Sequence, residues 1–173
     1  MWNEMKRLVI AIDGPSGAGK GTISRTLSAT LGYRHVDTGA MYRAVGWKAA
    51  HDGIPLDDEA AVSELARRAD IVVEGGTVSI DGHDVTRAIR TPDIDKAATA
   101  VARLPKVREA LVARQRALGA DGGVVMEGRD IGTVVFPNAE HGFNADYRPS
   151  YNAEAAKDAW SQCLAWFREH GVK

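Results

Sequence analysis

The chain has a single cysteine, Cys163. No disulfide framework and no cysteine-rich zinc site can be built within one copy, and a reducing, cytoplasmic setting is the expected one. Aromatic residues are scarce at 6%. Charge of one sign is also missing: 22 basic side chains face 23 acidic ones, for a formal net charge of −1. That balance excludes a general nucleic-acid or membrane-surface binder and leaves only local basic pockets open. Long apolar runs are absent too. Leu8 to Ile12 stops at Asp13, too short for the apolar stretch of a signal peptide, and no segment could span a bilayer. With 18 glycines and six prolines in 173 residues, the composition is neither collagen-like nor disordered. Instead, 45% apolar residues indicate one soluble domain with a packed core.

Arg7 to Ile12 reads as a strand, short and rich in branched residues, and its apolar character on both faces predicts a parallel strand covered by helices. From Lys20 the pattern changes to Ile23, Leu27 and Leu31, an apolar helical stripe that Gly32 is placed to end. Residues 33 to 36 suit a second strand. Thr38 is then the expected cap of a helix to about His51, and Asp57 or Asp58 opens another through about Ala69. Ile71 to Val73 and Val78 to Ile80 flank Glu74-Gly75-Gly76-Thr77, a hairpin signal, and Asp81-Gly82 marks the next turn. Pro92 and Pro105 suit helix starts, the second leading through Leu111 to Leu118, and Gly123 to Met126 reads as a buried strand.

Chemistry concentrates at Gly14-Pro15-Ser16-Gly17-Ala18-Gly19-Lys20-Gly21-Thr22, which has the G-x-x-x-x-G-K spacing between a predicted strand and a predicted helix. Glycines let the backbone wrap phosphate oxygens, the helix N-terminus presents N–H groups, and Lys20 adds a mobile cation. A plain glycine-rich turn is the bland alternative. Gly21 stands where the strict pattern has Ser or Thr, so the nearest hydroxyl moves to Thr22. Asp37 to Arg43, placed after the second strand, would lie at the carboxyl edge of a parallel sheet, where ligands bind. There Arg43 could grip a phosphate and Tyr42 line a base pocket, or the stretch could be a helix start with one surface arginine. Glu127-Gly128-Arg129-Asp130 follows the later strand in the same way, and alone also reads as a turn with an ion pair.

Taken together, Gly14 to Thr22, Asp37 to Arg43, Val85 to Arg90, Pro105 to Glu109 and Glu127 to Pro137 resemble the bacterial cytidylate kinase family, over about residues 6–139. The resemblance implies an α/β, three-layer P-loop nucleoside monophosphate kinase-like fold with a small antiparallel nucleotide-binding insertion at about 70–90. It implies ATP and Mg2+ as cofactors and CMP or dCMP as substrate. Gly14, Ser16, Gly17, Ala18, Gly19, Lys20, Gly21 and Thr22 would cradle the ATP phosphates. Thr38, Tyr42, Arg43, Thr99, Arg108, Arg129 and Asp130 would bind the substrate, and Lys20, Arg43 and Arg129 would act on the transferring group. Asp130 suits cytosine's amino group, and Arg108 with the Thr99 hydroxyl suits its ring acceptors, although Arg108 alone also fits the solvated face of a helix. No side chain is implied as a metal ligand.

The resemblance further implies two more parallel strands and an arginine-rich lid after Pro137, yet only Arg148 and Arg168 follow Arg129 and no later run reads as a buried strand. The expected fold is therefore truncated, with Leu8 to Ile12 at an unprotected sheet edge that favours self-association or weak stability. Losing one lid arginine costs about 10³ to 10⁵ in rate, so substrate binding is expected to survive better than turnover. Residues 140–171 resemble the C-terminal end of dienelactone hydrolases, with His141 at that family's catalytic position, so the chain reads as a chimera: a kinase-like domain over 1–139 and a tail over 140–173. Asn152 caps an expected helix over 152–170 whose apolar face carries Ala156, Trp160, Leu164 and Phe167, with Cys163 on or beside it. The expected function is ATP-dependent phosphorylation of CMP or dCMP. A nucleotide-binding remnant without turnover is the alternative, and a hydrolase fragment, having a histidine but no nucleophile elbow, stands third.

Overall fold

The computed structural model describes residues 8–137, so the expectations for the tail, including helix 152–170, His141 and Cys163, lie outside the described residues. Branched residues favour extended backbone, and β1 (Val9–Asp13) ends where Asp13 meets the glycine loop. It is followed by α1 (Lys20–Leu31), stopped by Gly32 in the left-handed conformation at φ 64°, and by β2 (Arg34–Asp37). Then come α2 (Thr38–His51), α3 (Glu59–Arg68), β3 (Ile71–Glu74), β4 (Thr77–Ile80), β5 (His83–Asp84), α4 (Pro92–Ala102), α5 (Pro105–Leu118) and β6 (Val124–Gly128). A π-helical turn over Ile131–Val135, unexpected from the sequence, closes the described part.

Strands β1, β6 and β2 form a parallel sheet in that order, and β3, β4 and β5 form a separate antiparallel sheet. The chain is thus α/β, a parallel sheet with helices as in P-loop nucleoside monophosphate kinases. In register, Asp13 lies opposite Gly128 and Asp37 opposite Glu127, so three strand ends meet at one carboxyl edge. Every residue of β6 is buried, whereas Val9 to Ile12 are only half-buried. β1 is parallel, as expected, and among the described residues it pairs with β6 alone, the edge position expected for it, while the fully buried strand is β6.

Helix α1 also departs from expectation. Its first turn is fixed by the glycine loop and it lies against β6, where the small residues Ser24 and Ser28 face inward. Ser28 Oγ donates to the Ser24 carbonyl at 2.6 Å. The apolar stripe points elsewhere, leaving Ile23 54% and Leu31 43% exposed. Helical periodicity reveals a face without saying what covers it.

Helix α2 is capped by Asp37, not by Thr38: the Asp37 carboxylate accepts from the Ala40 N–H at 3.0 Å. Thr38 begins the helix and turns its hydroxyl to the Glu127 carbonyl, 2.8 Å away and buried. Asp58 caps α3 by the same chemistry. Helix α4 packs closely on α2 because Gly46 leaves room; a Cβ there would stand 3.1 Å from the Ala97 Cβ. The hairpin turn uses Gly75 and Gly76, both at positive φ. Buried apolar residues of this small sheet, Val78 and Ile80, pack with Ala40 and Ala44 of α2, while Val36, Val124 and Met126 form a cluster with Ile131 and Val135.

Candidate active site

Between β1 and α1 the glycine loop curls tightly. Gly17 and Gly19 have φ of 78° and 79°, a region open to glycine at little cost, so neither could be replaced without strain. Lys20 opens α1, and its Nζ folds back over the loop to donate to the Pro15 carbonyl at 2.7 Å. Gly14 to Gly19 thus curve around the start of a helix, with Gly14 N–H on the Gly128 carbonyl at 3.3 Å. Amides, the helix terminus and the ammonium converge there, as an anion site requires.

Gly21, the departure from the strict loop pattern, has a spatial reason. A Cβ on it would meet Glu127 Oε1 at 3.2 Å and Arg25 Nη1 at 3.1 Å. The Glu127 carboxylate therefore borders the space a longer side chain would fill. His35 Nε2 holds that carboxylate at 2.8 Å, in a pair nearly closed to solvent. Carboxylate and hydroxyl oxygens such as those of Glu127 and of Thr22, the residue after Gly21, are the kind Mg2+ takes. Among the described residues no group of three or more His, Cys, Asp or Glu could by itself hold a metal ion.

Across the same edge, Asp13 accepts from the Ile131 N–H at 2.7 Å and the Gly132 N–H at 2.9 Å. This two-pronged grip fixes the segment after β6, in which Asp130 sits at φ 60°. Asp130 and Arg129 are exposed at the end of that strand. Tyr42, half-buried on α2, feels both Arg108 and Asp130: burial pushes its phenol above the usual range, Arg108 draws it down and Asp130 adds to the rise. Arg43, one residue on, donates from Nε to Asp95 at 2.9 Å and approaches Asp37 at 3.9 Å.

A family model described as "Cytidylate kinase" matches residues 10–151. The chain belongs to the cytidylate kinase family. Curated cytidylate kinases of Solibacter usitatus and Pelotomaculum thermopropionicum are 49% and 55% identical to it, over 84% and 76% of this chain and 63% and 60% of their own. A bifunctional pantoate ligase/cytidylate kinase of a Synechococcus strain is 49% identical over 78% of the chain and 26% of its own length. The chain therefore spans under two thirds of the curated relatives it matches. The cytidylate kinase match also runs past Ala139, where the sequence suggests a junction, and the comparisons lend no support to a hydrolase-like tail. No helix among the described residues is long and apolar enough to cross a membrane.

For this member of the cytidylate kinase family the sequence-predicted residues gather unevenly. Gly14 to Thr22 lie together, and Arg108 and Asp130 are both near enough to Tyr42 to act on its phenol electrostatically. Arg108 is engaged elsewhere, donating from Nη1 to the Ala102 and Arg103 carbonyls at the end of α4. Thr99 is exposed, its hydroxyl bonded back to the Asp95 carbonyl, on the wall of a shallow depression of about 350 Å³ shared with Asp95, Lys96, Ala100 and Arg103. Sequence reading missed Asp13, which looked like a turn former, and Glu127, which was quoted in a motif without a role. An acidic residue inside an otherwise apolar buried strand was the available signal for Glu127, since buried carboxylates need partners.

Proposed function

We propose that the chain transfers a phosphoryl group from ATP to CMP or dCMP, using the kinase-like part over residues 1–139. One observation carries the reading. The loop at Gly14 to Thr22 and the Tyr42–Arg43 turn of α2 flank opposite sides of β6 at one sheet edge, with Glu127 and Gly128 between them. Two nucleotides bound there would direct their phosphates toward each other, and phosphoryl transfer depends chiefly on such positioning and on cations over the transferring group.

Lys20 would release Pro15 and turn to the β- and γ-phosphates, supported by the amides of Gly17, Gly19, Gly21 and Thr22. Arg43 and Arg129 would grip the acceptor's phosphate and the transferring group. Thr38 supports the wall between the two, and Tyr42, Thr99, Arg108 and Asp130 would line the base. Mg2+, when bound with ATP, would neutralise phosphate charge; Glu127 and Thr22 are the residues that fit it, with phosphate oxygens and water completing the shell.

A coupled ADP-release assay with ATP and CMP tests this, with Lys20→Ala as control. Turnover that falls about 10²- to 10³-fold on the substitution is expected. Turnover unchanged by it sinks the reading. Binding of both nucleotides without turnover would favour a second reading, a nucleotide-binding remnant. Ester hydrolysis lost on His141→Ala would replace both.

The partner reading follows from the sheet. Among the described residues β1 pairs only with β6, and Leu8 is 62% exposed beside it. An unprotected edge with apolar neighbours pairs readily with another chain, and a second copy is the partner we propose for it.

A further inference from the structure

Arg90 was given no role by the sequence motifs, and its side chain reaches the acceptor side of the proposed site. Its Nη2 donates to Asp37 Oδ2 at 3.2 Å. Arg43 Nη1 approaches the same oxygen at 3.9 Å, so two guanidiniums converge on one carboxylate oxygen. Asp37 Oδ1 is already engaged by the Ala40 N–H. Arg43 makes one further bond, from Nε to Asp95 Oδ1 at 2.9 Å.

Each guanidinium has five N–H donors, and among the described residues the side-chain bonds of this pair number one for Arg43 and one for Arg90. Two like charges drawn to a single oxygen, with most donors unused, form a site short of hydrogen-bond acceptors. A phosphate monoester, with three terminal oxygens and up to two negative charges, supplies the acceptors that Asp37 lacks. The site stands at the first turn of α2, where helix amides add positive potential. Gly39 leaves the space open: a Cβ there would lie 3.3 Å from Arg43 Nη1 and 3.1 Å from Asp37 Oδ1.

Asp95 behaves differently from Asp37. Its side chain is 63% exposed, against 22% for both Arg43 and Asp37, and it comes from α4 rather than from the sheet edge. A carboxylate so placed is easily displaced by a stronger anion.

We propose that Arg90 is a second cation for the acceptor nucleotide's phosphate, held ready with Arg43 by Asp37, and that Asp95 is a placeholder which the phosphate expels from Arg43. This rests on the kinase reading and deepens it. Arriving phosphate takes the Arg43 fork and the outward donors of Arg90, while Asp37 keeps its helix cap and one arginine contact.

Calorimetric titration of the full chain with CMP and with cytidine, which lacks the phosphate, tests the assignment. Arg90→Gln is expected to weaken CMP binding at least tenfold and leave cytidine within twofold, with Arg90→Lys between the two, because charge without the fork is a partial replacement. Asp95→Asn is expected to tighten CMP about three- to tenfold, since the competing carboxylate is gone. A brace that merely supports the fold would shift CMP and cytidine alike, and that result overturns the proposal. CMP affinity unchanged in Arg90→Gln, or weakened in Asp95→Asn, also overturns it. A parent chain that ignores CMP but binds UMP or AMP with the same dependence on Arg90 retires the CMP reading and supports this one. A parent that binds no nucleoside monophosphate removes both.

Discussion

Placing a methyl group on Gly128 would strike the most crowded point of the sheet edge. A Cβ there would lie 2.1 Å from Thr38 Oγ1 and 2.9 Å from Ile131 Cδ1, where real contacts do not fall below 3.0 Å. Neither neighbour is free to leave. Thr38 is 3% exposed with its hydroxyl on the Glu127 carbonyl, and Ile131 is 1% exposed, its N–H held by Asp13. Overpacking a closed core costs about 1–3 kcal/mol. Expelling the hydroxyl from its bond adds about 1–3 kcal/mol for a buried group left unsatisfied. Gly128→Ala is therefore expected to lose about 2–6 kcal/mol of unfolding free energy, measured by urea denaturation with an unchanged m-value. Thr38→Ala in the same chain removes the oxygen that is struck, so the double variant should be more stable than Gly128→Ala alone. Gly128→Ala within about 0.5 kcal/mol of the parent, or a double variant showing simple additivity, would refute the close contact.

Asp37→Ala should lose about 1 kcal/mol as an N-cap and so locate the start of α2 one residue before the expected cap at Thr38; equal stability to the parent would contradict the capping bond. Gly21→Ala pushes toward Glu127 and Arg25 and should cost about 1 kcal/mol, with weaker ATP binding by titration; Arg25 alone yielding would leave both unchanged. Burial raises the Tyr42 phenol above its ordinary 10.0, so the folded state holds that proton longer than the unfolded chain does. Its contribution is intact below pH 10 and is lost as pH rises through the folded value, and Tyr42→Phe should delete a phenolate step above the ordinary range in a 295 nm titration. Sedimentation should show concentration-dependent association that weakens in Leu8→Lys; a monomer at all concentrations would refute pairing through the β1 edge.

Local chemistry was legible where one residue type dictates one geometry. Gly32 ends α1, Asp58 caps α3, and the paired glycines at 75 and 76 turn the hairpin, each as its backbone preference requires. Strand, glycine loop and helix at residues 9 to 31 followed from the change of apolar period from a continuous run to spacing of four. Side-chain relations across the sheet were not legible. That β1 would lie at an edge was expected, and among the described residues it pairs with β6 alone. Thr38 looked like a cap because capping residues resemble one another in sequence; the choice fell to Asp37 because the Thr38 hydroxyl finds Glu127 from a strand 89 residues later. Asp13, Glu127 and Arg90 went unassigned for the same reason, since their partners Ile131, His35 and Asp37 lie far along the chain.

The two N–H hydrogen bonds that Asp13 accepts join β1 directly to the segment carrying Asp130. Because a carboxylate gripping two neighbouring N–H groups fixes direction as well as distance, any tilt of β1 is passed to Asp130 with little slack. The rim of the sheet is thus tied to the turn that follows β6, and a disturbance of one end is felt at the other.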